Sequence, residues 1–73
     1  MKNITHCARI TIPMPYVALG GRVQNIPVGP CLIESGGKRS IDIVWGPDGQ
    51  NLVSMPLEVI ETARDDGRLV LLD

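Results

Sequence analysis

A chain of 73 residues with 44% apolar side chains, 7 basic residues against 8 acidic ones and 2 cysteines has the size of one small domain with a thin core. The apolar content excludes a disordered chain, and the near-neutral balance argues against a general nucleic-acid binder, which carries a basic excess. With no Phe, one Trp and one Tyr, the core is read as aliphatic and a groove built from many aromatics is excluded.

The opening MKNITHCARI carries a lysine but no apolar h-region, so it does not read as a signal peptide, and a cytoplasmic location is the default expectation. No apolar stretch approaches the length needed to cross a membrane. Ile4, His6, Ala8, Ile10 and Ile12 alternate with Asn3, Thr5, Cys7, Arg9 and Thr11. That period of two predicts a half-buried strand, because successive Cβ atoms point to opposite faces of a sheet. Pro13, which has no N–H for a ladder, is its expected end.

Residues 13–30 are irregular, and the sequence leaves them as either two short strands or a long loop. Tyr16 to Leu19 and Arg22 to Val28 are the candidate strands, and Gly20-Gly21 between them suits a tight hairpin. From Cys31 the pattern sharpens. Residues 31–34 read as a strand, Ser35-Gly36-Gly37-Lys38 as a turn, and Ser40 to Trp45 as a second strand. Ile41, Ile43 and Trp45 fall on one face of that strand, and Ser40, Asp42 and Val44 on the other. Gly46-Pro47-Asp48-Gly49 is a strong turn sequence, since proline presets φ at the first central position and the last glycine accepts positive φ. Gln50 to Val53 returns as a third strand, which makes 31–53 an antiparallel meander.

A single helix is expected over 54–66, with Ser54 as its cap, Pro56 in its first turn and Gly67 as its stop. Leu57, Val59, Ile60 and Ala63 form its apolar side. The last run, Leu69-Val70-Leu71-Leu72, is apolar on both faces of a strand. It must therefore lie centrally in the sheet or meet another chain with one face.

The fold class read from these elements is mainly β (α+β): about five strands in a small, partly open barrel or bent antiparallel sheet, with one short helix before the last strand. The layout resembles that of SH3-like barrels, which have a long first loop, a central meander and a helical turn before the final strand. The acidic and aromatic peptide-binding residues of that family are missing here, and the helix is longer.

The chemistry-bearing residues form no catalytic pattern, so no enzyme activity, no small-molecule substrate and no cofactor are expected. His6, Cys7 and Cys31 are the soft metal ligands, but they lack the paired spacing of a structural zinc site. Cys31 opens an apolar strand and reads as a buried hydrophobe, while Cys7 lies on the polar face and is the more accessible thiol. Asp48, Glu58, Glu61, Asp65 and Asp66 are accounted for by turn and helix positions. Gly20-Gly21 and Gly36-Gly37 lack the spacing of a phosphate loop.

The function expected from this pattern is a small interaction module, a bacterial accessory or regulatory protein working through protein partners or self-association. Met14, Tyr16, Arg22, Arg39, Trp45, Val70 and Leu72 are its candidate contact residues. A nucleic-acid-binding barrel is the less favoured alternative and needs Arg22, Lys38, Arg39 and Arg68 on one face beside Tyr16 or Trp45. A thiol enzyme or redox protein using Cys7 or Cys31 is the third reading.

Overall fold

The computed structural model describes residues 5–18, 20–35 and 37–72. Seven strands and one helix follow in the order β1 (Thr5–Ile10), β2 (Met14–Val17), β3 (Val23–Ile26), β4 (Gly29–Ser35), β5 (Ser40–Trp45), β6 (Asn51–Pro56), α1 (Leu57–Asp65) and β7 (Leu69–Leu71). Five of the strands form an antiparallel sheet in the order β6-β5-β4-β1-β7, and β2 and β3 form a separate hairpin. The expected mainly β fold is therefore present, as a five-stranded antiparallel sheet with a separate hairpin and one helix before the last strand, and the described strands do not close into a barrel.

One side of the sheet is the core. Ala8 and Ile10, Met14, Ile26, Cys31 and Ile33, Ile43, Met55, Ile60 and Ala63, and Leu69 are buried together, so every element contributes at least one side chain. The inward residues of the five strands follow the period of two read from the sequence, with Ile43 flanked by Ile33 on β4 and Val53 on β6. The irregular segment 13–30 resolves into the hairpin, with Val17 opposite Val23 and both Gly20 and Gly21 at positive φ. Glycine meets that requirement without the steric cost that a Cβ would bring.

The chain departs from the sequence reading in three places and narrows it in a fourth. The first strand ends at Ile10 and not at Pro13, because Thr11 turns toward the helix end: its N–H donates to the Arg68 carbonyl at 2.8 Å and its hydroxyl to the Gly67 carbonyl. Ile12 is consequently left 53% exposed. The helix starts later than expected, and Ser54 does not cap it. β6 continues through Pro56, and the Ser54 hydroxyl instead donates to the Asp42 carboxylate across the strand pair. Pro56 is the N-cap, and the first helical N–H, that of Leu57, donates to the Arg39 carbonyl at 2.9 Å. A carbonyl from the β4–β5 turn thus serves the role expected of the serine side chain. Val59 lies outside the packed side of α1 and is exposed, whereas Ile60 and Ala63 are buried. Finally, β7 is an edge strand paired with β1 alone among the described residues, which removes the central position from the two alternatives the sequence offered for it.

The helix stop is as the sequence predicts. Gly67 has φ of +76°, its N–H donates to the Arg64 carbonyl, and the Arg68 N–H reaches back to the Ala63 carbonyl. These two bonds form a Schellman motif, which returns the chain directly into β7. Gly67→Ala is expected to cost about 1 kcal/mol, read as a lower urea midpoint at an unchanged m-value, because alanine is strained in the left-handed region although open space surrounds the position.

Candidate protein-interaction surface

The strand register that buries one face of the sheet defines the other. Outward side chains fall into rows that run across the strands. In the central row, Leu52 of β6 stands opposite Val44 of β5, Val44 opposite Leu32 of β4, and Leu32 opposite Cys7 of β1. The Leu72 N–H donates to the Cys7 carbonyl at 2.9 Å and extends the row beyond β7. Leu52 and Leu72 are both 59% exposed and Leu32 is 39% exposed. Cys7 is exposed and Val44 half-buried. An apolar line thus crosses the whole width of the sheet on its solvent side.

The flanking rows differ: one is polar and acidic, and the other sets a single arginine between apolar side chains. On one side lie Ser54, Asp42, Glu34 and Thr5, each opposite the next. Asp42 and Glu34 face each other directly, and like charges so placed repel. Each accepts one hydroxyl, Asp42 from Ser54 and Glu34 from Thr5 at 3.3 Å, and their row carries no basic side chain. On the other side lie Pro30, Arg9 and Val70, with Arg9 exposed and Val70 42% exposed. A shallow hollow on this side joins Cys7, Leu32, Val44 and Leu72 to Pro30 and Pro47.

The residues singled out from the sequence are dispersed over the fold. Val70 and Leu72 are on this outer face. Met14 is not on the surface at all; it is 1% exposed and fills the core opposite Ile26, because the hairpin lays its inward side under the sheet. Tyr16 and Trp45 are half-buried on the core side and meet edge to face, with ring centroids 5.7 Å apart, and the Tyr16 hydroxyl donates to Gln24 Oε1 at 2.9 Å. Their principal work is packing, although Trp45 also reaches the rim of the outer hollow. Arg22 lies in the β2–β3 turn, where its carbonyl accepts the Ala18 N–H, and Arg39 is exposed beside the start of α1. Arg68 lies past the other end of that helix in an ion pair with Asp66 at 3.1 Å. Arg39 and Arg68 thus lie toward opposite ends of α1.

His6 lines a hollow beside the helix with Leu57, Ile60 and Glu61, while Cys7 projects to the outer face. Among the described residues no three His, Cys, Asp or Glu side chains come together as a metal-binding set. Both cysteines are thiols, Cys7 exposed and Cys31 buried. Burial pushes the Cys31 thiol above its ordinary pKa. The folded chain therefore holds that proton more tightly than the unfolded chain, so stability is unaffected below the ordinary thiol pKa and falls as pH rises from there through the raised folded-state value. In dilute neutral solution iodoacetamide is expected to label Cys7 in the native protein and Cys31 only after urea unfolding, checked by intact mass; equal labelling rates would contradict this assignment.

The row of Cys7, Leu32, Val44 and Leu52 escaped the sequence reading because it depends on register. The sequence puts Cys7 on the polar face of its strand and Val44 on the face shared with Ser40 and Asp42, but only the pairing of four strands shows that they align with Leu32 and Leu52. No protein-family model matches this chain, and no curated protein or solved structure matches it. Among the described residues no helix is long and apolar enough to cross a membrane.

Proposed function

We propose that this domain is a small non-enzymatic interaction module that binds protein through the outer face of its five-stranded sheet. The observation that carries the reading is the apolar row Leu52, Val44, Leu32, Cys7 and Leu72, which crosses the sheet on its solvent side. Single exposed apolar residues are ordinary on protein surfaces, but a contiguous row bordered on one side by a polar row and on the other by Arg9 has the composition of a contact surface. The core uses the opposite face, so the row contributes little to folding and is available to a partner.

The layout also supports the SH3-like comparison: a hairpin in the first excursion, a central meander, and a helix before a last strand that pairs with the first. The surface proposed here is not the peptide groove of that family and rests on the row alone.

A photo-crosslinking amino acid placed at Leu52 or at Leu72, in the cell that makes the protein, tests the reading. A discrete adduct from both positions is expected, with none from Glu61 on the exposed side of α1. Failure of both outer-face positions to form an adduct, or equal adducts from Glu61, would overturn it.

A further inference from the structure

We infer that the partner of the outer face is a second copy of this chain, docked sheet to sheet about a two-fold axis that runs along the apolar row. This inference rests on the interaction reading above and names its partner.

The charge pattern selects both the partner and the axis. A two-fold relation between two facing sheets has its axis in the plane between them, and the same patch on both copies must be self-complementary. If the axis ran along the strands, the row of Asp42 and Glu34 would meet its own copy, adding repulsion to two carboxylates that already stand opposite one another. With the axis along the apolar row, the acidic row of one copy meets the row of Pro30, Arg9 and Val70 on the other. Glu34 and Arg9 occupy adjacent strands on opposite sides of the axis, so each Glu34 comes within one strand spacing of the other copy's Arg9, twice by symmetry. The carboxylate pair then receives the basic side chain that its own row lacks.

The same axis places each member of the apolar row over its own copy, Leu32 on Leu32 and Cys7 on Cys7. Aligned packing at about 10 Å between sheets, with the usual rotation of about 30° centred on Leu32 of the middle strand, keeps Leu32 over its own copy and offsets the two Cys7 side chains, one strand away, by only about 2–3 Å. Five strands spaced about 4.8 Å apart and three rows of outward side chains make a face of roughly 25 by 20 Å, or about 1,000 Å² counted over both copies. That is at the lower limit for a specific interface, so the dimer is a reversible one with a dissociation constant on the order of micromolar.

Sedimentation equilibrium of the purified chain, at concentrations from about 1 to 500 µM, reads the association directly. A monomer–dimer equilibrium is expected. Arg9→Glu and Glu34→Arg should each weaken it about tenfold, and the double variant should recover most of the loss. A short bismaleimide should join the two copies through Cys7, and Cys7 alkylation should slow as the protein concentration rises. Three results would overturn the inference: a monomer throughout the range, a dimer indifferent to both charge reversals, or a dimer in which Cys7 does not cross-link. A monomer that still gives outer-face photo-adducts heavier than two chains would retain the interaction reading while removing the second copy as its partner.

Discussion

Ile43→Ala is expected to leave the domain largely unfolded at 25 °C. Ile43 is 0% exposed at the centre of β5, with Ile33 and Val53 across the ladders on either side. Truncating such a side chain removes its transfer free energy and leaves a cavity, a loss of about 2–5 kcal/mol. A domain of this size has a total stability of only a few kcal/mol, because so small a chain buries a limited fraction of its surface. Circular dichroism with urea titration should show a midpoint reduced by half or more, or no folded baseline at all. Ile43→Val, which keeps most of the volume, should lose only about 1 kcal/mol. A midpoint for Ile43→Ala equal to that of the unchanged chain would mean that the face assigned to the core is not the core.

Leu32→Lys is expected to act in the opposite way, sparing the fold and abolishing association. Leu32 projects from β4 on the solvent side and sits in the middle of the apolar row, with Cys7 and Val44 opposite it. A lysine there can lay its methylene stem along the row and keep its ammonium in water, near the Glu34 and Asp42 carboxylates of the next row. Its effect on stability should stay within about 0.5–1 kcal/mol. In the docked pair the same lysine meets its own copy on the axis, so an apolar centre is replaced by two buried like charges. Central contacts carry most of the energy of an interface, and association should weaken by about 100-fold or more. The pair of variants therefore separates the two faces of one sheet: loss of fold from Ile43, loss of binding from Leu32.

What the sequence made legible was local. The alternation in Ser40–Trp45, the turn at Gly46–Gly49, where the Gly49 N–H donates to the Gly46 carbonyl, and the Gly67 stop each depend on residues close in the chain. Ser54 shows where local rules give way. A serine two residues before a proline and an amphipathic run satisfies the description of a helix cap, yet Asp42, twelve residues earlier, takes its hydroxyl and keeps it in a strand. Pairing across the sheet overrides local capping preference when the partner is a carboxylate. Met14 shows the same limit. Its proline-rich segment makes it a candidate contact residue, but the hairpin folds under the sheet and buries it in the core opposite Ile26.

The candidate surface was legible in part. Val70 and Leu72 stood out because a strand apolar on both faces is conspicuous in so short a chain. Their partners Leu32, Val44 and Leu52 did not, since each is a single apolar residue in its own strand and none forms a patch alone. The patch exists only in the register of β6, β5, β4 and β1, which the sequence does not state. Arg9 and Glu34 take on meaning in the same way, as members of neighbouring strands whose charges lie on opposite sides of one row.

The most direct test of the outer face is the photo-adduct formed from position 72, compared between the unchanged chain and the Leu32→Lys background. The discrete adduct should form in the first and be lost in the second, while both chains keep the same far-ultraviolet spectrum and nearly the same urea midpoint. An adduct of equal yield from a folded Leu32→Lys chain would contradict the assignment of this face as the binding surface.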